Sequence, residues 1–600
     1  MTAYSKYSDQ FVDWLVDEGY THCFFVGGGN IMHLLDSVRS RLVCVPFVHE
    51  VGATIAAEFF NASADPGTHR AFVLVTAGPG VTNTMTGVAS AWGESRELLV
   101  IGGQVKASDL SRGEVRLRGL QELDLSEIMR PVCKRVLRIE APIPRAAVLD
   151  VVRDGARPRK GPVFIEFCLD AQAAAPMPDE LAVAPAPEPA VTRVPDEGVE
   201  AALAMISASR RPVILMGLGV SREVARGLSD ELAELGIPIM FTWNGADRLP
   251  SDHPMYAGRP NTWGQRAANI ALQQADLLIA IGSRLSIQQT GFAYDEFIPV
   301  GEVIQVDIDE RELHKGHPHV ELPLCGDAEA FLVDIVARAK HRVEWEEWVD
   351  FVKELQQLLP LDDPQNTTAP GYVDPYPLQA EIANIAGEND VIIPGSSGAA
   401  YTVSMQTLSL RARQKLLSNK QIASMGYGLC SAIGASLANP GARTFLMEGD
   451  GGFAQNIQEL GTVAINQLPI KIFLFNNDGY ASIRQTQRNY FNGRWLGCDR
   501  STGVGLPDWE RLAATYDIPY ASMDPNDPLG GEVARLLASD GPAFIEVPVD
   551  PDQTYYPRIA SSVTADGSMK SNPLHRMSPD LADDLAETVF KYLIPTGVSK

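Results

Sequence analysis

The feature that most restricts the fold of this chain is a series of short apolar runs in which inward and outward positions do not alternate. Strands with this pattern are buried on both faces, which is typical of parallel sheets covered by helices. Longer stretches with helical periodicity separate the runs, so the sequence predicts an α/β protein of doubly wound parallel sheets. Most runs end in Gly, Asn, Asp or Ser, at the sheet edge where ligands bind. The clearest runs are AFVLVTAGPG, ELLVIGGQ, PVILMGLG, DLLIAIGSR, VIQVDID, DVIIPGSSG and KIFLFNNDG.

Two proline-rich segments divide the chain into three blocks and a tail. They cover residues 171–197 and 360–377, where proline prevents regular pairing and stiffens a connector. We therefore expect an N-terminal domain, a central domain, a third domain and a C-terminal tail, over residues 1–175, 195–345, 375–555 and 556–600.

The ends of the first and third blocks are similar. GPVFIEFCLD (161–170) and GPAFIEVPVD (541–550) share the GP turn, most of the apolar run and the final Asp. A chance similarity of two buried strands is one explanation. We favour a shared ancestry of the two blocks.

Charge and composition argue against several classes of partner. The 600 residues carry a net charge of −25, so the chain as a whole should repel nucleic acid and anionic membranes. No apolar run is long enough to cross a bilayer, and the N-terminus lacks the pattern of a signal peptide. Seven scattered cysteines without a CxxC pair are typical of reduced thiols. We expect a cytoplasmic protein that acts on small molecules.

One pair of turns carries the predicted chemistry. FLMEGDGGFAQ (445–455) ends an apolar run in Asp450 among glycines, and the next run, KIFLF, ends in Asn476 and Asn477. A single helix between these strands would complete a βαβ unit, so the strands would be neighbours about 4.8 Å apart. Asp450 and Asn477 would then share a small volume, where their oxygens suit Mg²⁺ or Ca²⁺ better than zinc.

The glycines of the same turn indicate what the metal would hold. Gly451 and Gly452 let backbone N–H groups approach a ligand at the positive N-terminus of the following helix. Mg²⁺ completes its shell with phosphate oxygens, so the pattern predicts a diphosphate bound through a metal. The alternative is that Asp450 only caps the helix. The asparagine pair after the next strand favours the metal.

The GDG and NN turns together resemble the thiamine-diphosphate motif, in the form found in acetolactate synthase-like decarboxylases and carboligases. The resemblance covers nearly the whole chain, in the order pyrimidine-binding, central and diphosphate-binding domain. It implies thiamine diphosphate and Mg²⁺ as cofactors. It also implies a homodimer or homotetramer with active sites at the subunit interface.

The resemblance assigns the cofactor positions of the third block. It implies that Asp450, the Asn477 side chain and the Gly479 backbone carbonyl bind Mg²⁺. Met425 would support the bend of the cofactor, although from its pattern alone it would be ordinary core. The further cofactor-binding positions that it implies are Ser397 and Gly398 in GSSG, Ala423 in ASMGYG, and Gly449, Gly451 and Gly452.

The first block supplies the predicted catalytic residues. Glu50 follows an apolar strand and precedes an Ala-rich helix, so from the residues alone it could be a capping or surface carboxylate. The resemblance implies instead that Glu50 hydrogen-bonds N1′ of the pyrimidine on a cofactor held by the partner subunit. Gly28 and Gly29 in FVGGGN, the loop TAGPGVTN (76–83) and Gln121 take family places on the substrate side.

The central block raises the question of a flavin. The segment GSR…TG resembles the flavin-contacting segment of acetolactate synthase-like proteins, with Arg284 in the FAD-contacting place. The resemblance therefore implies FAD. Its role would be structural, because decarboxylation and carboligation need no redox step.

Three positions on the acceptor side bear on the choice of substrate. Gln288 stands where acetolactate synthases have an arginine that grips the carboxylate of the second keto acid, and Gln cannot replace that charged, bidentate clamp. Thr486 stands where the family has a bulky Trp. Lys134 keeps a family position at the site entrance. The changes at Gln288 and Thr486 remove a carboxylate grip and open space.

These residues predict a carboligase that decarboxylates a 2-keto acid, most simply pyruvate, and transfers the two-carbon acetyl unit to a larger carbonyl acceptor. Residues 566–581 resemble the tail of relatives in deoxysugar and surface-polysaccharide pathways, which favours a ketone of a nucleotide-linked keto sugar. One alternative is an acetolactate synthase catalytic subunit in which Arg484 or Arg488 restores the grip. The others are a 2-keto acid decarboxylase or oxidase, and a catalytically silent scaffold.

Overall fold

The computed structural model describes residues 5–178, 191–563 and 569–593. Parts of the first proline-rich segment (179–190) and of the tail (564–568) lie outside the described residues. The chain forms two compact units. The first contains Met1–Pro189, Asp390–Ser396 and Asn419–Val547, and the second contains Ala190–Asn389, Ser397–Ser418 and Pro548–Lys600. The domain boundaries drawn from the linkers stay predictions.

The first sheet lies in the first unit. Its six strands pair in the order β2-β1-β3-β4-β6-β5 and are all parallel. The strands are β1 (Tyr20–Phe25), β2 (Val43–Pro46), β3 (Arg70–Val75), β4 (Leu98–Gln104), β5 (Arg135–Ile139) and β6 (Pro162–Cys168). The helices around them are α1 (Tyr7–Asp17), α2 (Met32–Val38), α3 (Glu50–Ser63), α4 (Pro79–Thr82), α5 (Met85–Glu94), α6 (Leu125–Met129), α7 (Arg145–Asp154) and α8 (Leu169–Ala173).

The central sheet lies in the second unit. Its five parallel strands pair in the order β11-β10-β9-β7-β8. They are β7 (Pro212–Met216), β8 (Ile239–Phe241), β9 (Leu277–Ile281), β10 (Glu302–Asp307) and β11 (Leu322–Cys325). Its helices are α9 (Asp196–Ala208), α10 (Arg222–Gly227), α11 (Ser229–Leu235), α12 (Arg266–Gln274), α13 (Ile287–Thr290), α14 (Glu310–Leu313), α15 (Ala328–Arg338) and α16 (Glu346–Leu358).

The third block contributes the elements of a third sheet. The bounds in chain order are α17 (Pro375–Ile385), β12 (Val391–Pro394), α18 (Val403–Thr407), β13 (Lys415–Leu416), α19 (Tyr427–Ala438), β14 (Thr444–Gly449), α20 (Asp450–Phe453), α21 (Leu460–Ile465), β15 (Ile470–Asn476), α22 (Ala481–Phe491), α23 (Trp509–Thr515), β16 (Tyr520–Ser522), α24 (Gly531–Leu537) and β17 (Ala543–Pro548). Within the first unit the strands follow the order β12-β14-β15-β17-β16. The predicted fold class, three doubly wound parallel sheets, is confirmed.

The tail packs onto the central core of the second unit. It forms β18 (Arg558–Ile559), β19 (Ser561–Val563), β20 (Met569–Ser571), β21 (Met577–Ser578) and α25 (Asp583–Val589). Leu574 and Val589 are fully buried there, in the same apolar cluster as Trp348 and Leu355. Among the described residues no helix is long and apolar enough to cross a membrane.

The two similar segments of the sequence occupy matching places. They form β6 and β17. Each of these strands is second from one edge of its sheet: β6 lies between β4 and β5, and β17 lies between β15 and β16. The shared topology agrees with the proposed common ancestry of the first and third blocks.

A helix pair, α3 and α19, joins the first and third sheets within the first unit. The two backbones approach closely, since a Cβ atom at Gly434 would lie 2.0 Å from the carbonyl oxygen of Ala56. A backbone atom cannot move aside as a flexible side chain could. Gly434 is therefore required by the packing of this pair.

Replacing Gly434 with Ala is expected to destabilise the protein by about 1–3 kcal/mol, because the added methyl group overpacks the helix pair. The midpoint of urea unfolding measures the effect. Gly227→Ala is the matched control: a Cβ there has no neighbour within 4 Å, and Ala favours the helix by about 0.5–1 kcal/mol. Equal midpoints for the two variants would contradict the packing argument.

Candidate active site

The predicted pair of turns lies on neighbouring strands. β14 and β15 are parallel partners, with Glu448 opposite Leu474 and Gly449 opposite Phe475. The prediction that these strands are neighbours is confirmed. The prediction of a single helix between them is wrong, because α20 and α21 are separated by a 3-10 segment with non-helical backbone at Asn456. The Asn456 side-chain amide donates to the Gly426 carbonyl at 2.7 Å, which holds the break.

Asp450 is the first residue of α20 and is almost completely buried, with 1% of its surface exposed. Its Oδ1 accepts from the Gly451 N–H and its Oδ2 from the Gly479 N–H, both at 2.8 Å. Burial raises the pKa of Asp450 to about 7, although these N–H groups and Arg484 lower it. A bound cation would stabilise the ionised carboxylate here.

Asn477 provides the observation that tests the metal hypothesis. Its side chain is buried, and its Oδ1 has no hydrogen-bond partner among the described residues. Buried polar oxygens are nearly always satisfied, so an orphaned one suggests an absent ion or water. The Asn477 backbone also faces the Asp450 carboxylate. One carboxylate and one unsatisfied amide oxygen fit a Mg²⁺ site that takes its other ligands from phosphate.

The glycines of this site have packing roles as well. A Cβ at Gly451 would lie 2.5 Å from the Tyr480 ring, and one at Gly452 would lie 2.4 Å from the Ser396 Oγ. Gly479 has φ +126° and would place a Cβ 2.3 Å from the Cys498 carbonyl oxygen. Its own carbonyl accepts from the Ala481 N–H at 3.2 Å and keeps a second lone pair.

Glu448 is a buried carboxylate that the sequence reasoning missed. It accepts hydrogen bonds from the backbone N–H and the hydroxyl of Ser396, both at 2.8 Å, and burial raises its pKa to about 7. A Cβ at Gly428 would lie 1.7 Å from its Oε2. Gly449, which precedes Asp450, also donates to the Ser396 carbonyl, at 3.3 Å. The only sequence signal was a charged residue at the end of an apolar run.

The other predicted diphosphate loop continues from Ser396 into the second unit. Ser397 opens a π-helical turn over Gly398–Thr402, and its Oγ accepts from the Ala400 N–H at 3.2 Å. A Cβ at Gly398 would lie 2.7 Å from the Tyr555 ring. Glycine is therefore needed there to fit beneath the aromatic ring.

The loop before α19 carries Ala423 and Met425. Ala423 has a left-handed backbone, with φ +49°, and its N–H donates to the Asn419 Oδ1 at 2.8 Å. Met425 is 43% exposed, unlike the core residue that its pattern alone would indicate. Glu94, which the sequence reasoning missed, is buried and accepts from the N–H groups of Lys420 and Gln421, the latter at 2.7 Å. Glu94 thus fixes the loop from the end of α5.

Glu50 is the first residue of α3. Its Oε2 accepts from the side-chain amide of Asn83 at 2.9 Å, so the carboxylate lies against the loop TAGPGVTN. The helix has no side-chain cap from its own N-cap residue, His49. Instead the buried carboxylate of Glu459 accepts from the N–H groups of His49 at 3.0 Å and Val48 at 3.4 Å. Glu459 therefore holds the start of the helix that carries Glu50.

The loop TAGPGVTN also lies against other predicted residues of the first block. A Cβ at Gly28 would lie 2.3 Å from the Cβ of Thr76, and one at Gly78 would lie 2.5 Å from the Gln121 carbonyl oxygen. Gly29 is open on its Cβ side. Gln121 is exposed and has φ +62°. The structure therefore brings Glu50, Gly28 and Gln121 to one loop, and the roles that the resemblance implies for them stay predictions.

Comparison with known proteins assigns the family. Three family models match in order: the N-terminal TPP binding domain of thiamine pyrophosphate enzymes over residues 5–128, their central domain over 199–335, and their C-terminal TPP binding domain over 396–547. The acetolactate synthase isozyme 1 large subunit of Escherichia coli is 31% identical over 556 residues, which are 91% of this chain and 94% of the relative. The chain belongs to the acetolactate synthase-like family of thiamine-diphosphate-dependent enzymes.

Other members of this family align over similar lengths. An acetolactate synthase large subunit of Mycobacterium tuberculosis is 29% identical over 588 residues, 95% of this chain and 92% of the relative. A probable large subunit of Methanocaldococcus jannaschii is 29% identical over 577 residues, 91% and 92% of the two chains. As a member of the acetolactate synthase-like family, the protein is a thiamine-diphosphate-dependent enzyme that forms carbon–carbon bonds.

The resemblance assigns two residues of the second unit, Arg284 and Gln288, to the flavin and the acceptor. The Arg284 guanidinium lies 3.6 Å from the Glu312 carboxylate, and its carbonyl accepts from Lys315. Gln288 lies in α13, where its carbonyl accepts from the Thr262 N–H at 3.0 Å. The roles of Arg284 and Gln288 stay predictions.

The remaining two positions belong to the first unit. Lys134 donates to the carbonyls of Asp154, the last residue of α7, at 2.6 Å and of Arg157 at 3.0 Å, and burial lowers its pKa. The Lys134 amine therefore already donates hydrogen bonds to two backbone carbonyls. Thr486 is exposed on α22, and its hydroxyl donates to the Ser482 carbonyl at 3.0 Å. The helix therefore presents a small side chain to solvent at position 486.

Replacing Glu459 with Ala is expected to cost about 0.5–2 kcal/mol of stability, the usual effect of a lost N-cap. It should also lower kcat, because the start of α3 would no longer be fixed. Unfolding by urea and steady-state kinetics measure the two effects. Glu459→Gln keeps an acceptor oxygen and should restore most of both. An Ala variant with unchanged kcat would show that Glu459 does not position Glu50.

Proposed function

We propose that the enzyme decarboxylates pyruvate and transfers the two-carbon acetyl unit to a carbonyl acceptor larger than pyruvate, preferably a ketone of a nucleotide-linked keto sugar. The observation that carries this proposal is the exposed face of α22 at Thr486. The helix starts four residues after Asn477, so its first turns adjoin the candidate metal site. A threonine there leaves room that the family's tryptophan would fill.

The contacts of Arg484 argue against the main alternative, an acetolactate synthase that recovers a carboxylate grip. Arg484 is buried and donates to the carbonyls of Asn477 and Asp478, the latter at 3.0 Å. It also lies 3.7 Å from the Asp499 carboxylate. Its guanidinium is thus engaged in holding the turn that carries Asn477. Gln288 is uncharged and Arg484 is engaged, so neither residue can grip the carboxylate of a second keto acid.

The overall reaction balances without a redox partner. Pyruvate loses CO₂, its former carbonyl carbon forms a bond to the acceptor carbonyl carbon, and the acceptor oxygen takes a proton to become a tertiary alcohol. Bound thiamine diphosphate supplies the electron sink for this chemistry. We propose that Glu50 hydrogen-bonds the pyrimidine and exchanges a proton with it, and that Asp450, Asn477 and Gly479 bind Mg²⁺. The Ala423 carbonyl and Met425 would hold the cofactor's ring system.

A product assay tests the proposal. The enzyme is given ¹³C-labelled pyruvate, Mg²⁺ and thiamine diphosphate, alone or with a panel of carbonyl acceptors that includes nucleotide-linked keto sugars. Mass spectrometry should find the labelled acetyl unit joined to a sugar. Efficient acetolactate formation from pyruvate alone would overturn the sugar proposal. Free aldehyde, or peroxide with acetyl phosphate, would indicate a decarboxylase or oxidase, and no CO₂ release would indicate a scaffold.

The flavin is a separate proposal. We infer that FAD binds the central domain near Arg284 in a structural role, on the basis of the family segment alone. The absorbance spectrum of the purified protein tests it. A protein that is colourless as purified, and colourless again after incubation with FAD and removal of the unbound flavin, would exclude it.

We further propose that Glu50 acts on a cofactor held by a partner subunit, in a homodimer or homotetramer. Glu50→Gln and Asp450→Asn variants with different tags can be co-expressed and the mixed oligomer purified. If each site combines two subunits, one site of a mixed pair is intact. The purified mixed pair should then regain about half of the wild-type activity. If both residues of a site come from one subunit, no activity returns.

A further inference from the structure

The helix that leads away from the candidate metal site exposes an unusual set of side chains. Tyr490 is 44% exposed, Phe491 51% and Trp495 42%. We name this region the α22 surface and define it by Ile483, Arg488, Tyr490, Phe491, Arg494 and Trp495, all of which are exposed. Three aromatic side chains exposed within one short stretch, residues 490–495, mark a candidate binding site.

The charge of the α22 surface is opposite to that of the chain. The protein carries a net charge of −25, yet between Gly479 and Cys498 there are three arginines and no aspartate or glutamate. One of them, Arg484, lies on the buried face of α22. Arg488 and Arg494 are on the outside. A local positive field beside exposed rings favours an anionic ligand that contains an aromatic group.

The surface is held in one conformation by its own contacts. Gln487 donates from its side-chain amide to the Leu496 carbonyl at 3.1 Å and accepts from the Leu496 N–H at 2.8 Å. The Gly493 N–H donates to the Gln487 carbonyl at 3.2 Å. The Arg488 guanidinium lies 5.9 Å from the centre of the Trp495 ring. The turn after α22 is therefore folded back onto the helix, which brings an arginine and an indole together.

The position of the helix relates this surface to the metal turn. Tyr480, just before α22, lies against Gly451, and Arg484 in the second turn holds the Asn477 carbonyl. The helix has 11 residues, so at 1.5 Å per residue its far end lies about 15 Å from its start. A ligand along it could present one end near the metal turn and the other at Trp495.

We propose that the α22 surface binds the nucleoside diphosphate part of the acceptor. Arg488 and Arg494 would pair with the diphosphate, and Trp495, which lies beside Arg488, would stack on the base. The keto sugar would then point toward the start of α22 and Thr486. This inference rests on the proposed function, since it names the part of the proposed acceptor that the enzyme recognises.

Calorimetric titration of the enzyme saturated with thiamine diphosphate and Mg²⁺ tests the surface. Saturation keeps the probes out of the cofactor's own diphosphate site. The probes are CDP, UDP and dTDP, compared with the free nucleosides and with inorganic pyrophosphate. We expect at least one nucleoside diphosphate to bind more tightly than its nucleoside or pyrophosphate, because it uses both the rings and the arginines.

Two variants locate the binding. Arg488→Gln and Trp495→Leu should each weaken nucleoside diphosphate binding by about 10-fold or more. Trp92→Leu is the control, because it removes another exposed tryptophan, 47% exposed in α5. It should leave nucleoside diphosphate binding unchanged. Circular dichroism checks that each variant is folded. If no nucleoside diphosphate binds, or if all three variants bind it like the parent, the proposal is overturned.

The main competing occupant is a second copy of the chain. If Trp495→Leu dissociates the oligomer in sedimentation experiments and leaves nucleotide binding intact, the surface is a subunit interface and the proposal is wrong. Failure of this inference also differs from failure of the proposed function. If the enzyme transfers acetyl to a keto sugar nucleotide and the Arg488 and Trp495 variants keep the KM for that nucleotide, only the proposed binding role of the α22 surface is wrong. If nucleotide binding depends on Arg488 and Trp495 but no acetyl transfer occurs, only the proposed function is wrong.

Discussion

Glu50→Gln is expected to lower kcat for CO₂ release from pyruvate by about 100- to 10,000-fold, the usual contribution of a positioned acid–base group. The amide can still accept from the Asn83 side chain, which lies 2.9 Å from the Glu50 Oε2. The fold and the place of the side chain should therefore persist, while the negative charge and the exchangeable proton are lost. Stopped assays of labelled CO₂ measure the rate, and calorimetry measures cofactor affinity.

Glu127→Gln is the matched control, since Glu127 is an exposed glutamate in the first turn of α6 and pairs with Arg130. It should leave kcat unchanged. The Glu50 variant should still bind thiamine diphosphate within a few-fold of the parent. A rate within tenfold of the parent would show that Glu50 is the capping or surface carboxylate that its sequence position also permits.

Asp450→Asn is expected to weaken Mg²⁺ binding, and with it cofactor binding, by about 30- to 3,000-fold. Truncating one partner of a buried charge pair costs about 2–5 kcal/mol, and each 1.4 kcal/mol is a factor of ten. Asn also places an N–H donor in a site where both carboxylate oxygens accept from backbone N–H groups at 2.8 Å. Titration of the apoprotein with Mg²⁺ and thiamine diphosphate, followed by calorimetry, measures the loss.

The helix-cap alternative makes a different prediction for the same variant. Asn and Asp are about equally good caps, so a residue that only caps α20 would tolerate the change. Asp478→Asn is the control, since Asp478 is exposed in the turn that carries Asn477. It should bind metal and cofactor as the parent does. Parent-like affinity in the Asp450 variant would remove Asp450 from the metal site.

The sequence was most informative where the relevant pattern is local. Runs without alternation predicted buried parallel strands, and the two polar turns predicted that β14 and β15 are partners. Asp450 and Asn477 were found because each directly follows such a run. Their burial and the unpartnered Asn477 Oδ1 could not be read from the sequence. Both properties depend on how distant segments close over the turn.

The residues that the sequence reasoning missed act over long distances along the chain. Glu459 caps α3 through a contact with His49, 410 positions away, and Glu94 holds the Lys420 N–H across 326 positions. No periodicity or motif links such pairs before the fold brings them together. The break at Asn456 was missed for the same reason, because its cause is a bond to the Gly426 carbonyl. One sequence without its relatives contains no signal for these contacts.

The contact between Glu459 and the start of α3 affects how enzymes of this kind can be recombined. The carboxylate belongs to the cofactor-binding block at the C-terminal side, while the helix it steadies carries Glu50 from the N-terminal side. Gly434 and Ala56 add a second fixed contact between the same two blocks. In a chimera that takes only the first or only the third block from a relative, the two sides of each contact would come from different proteins. A chimera is expected to keep both contacts only when the first and third blocks come from the same parent.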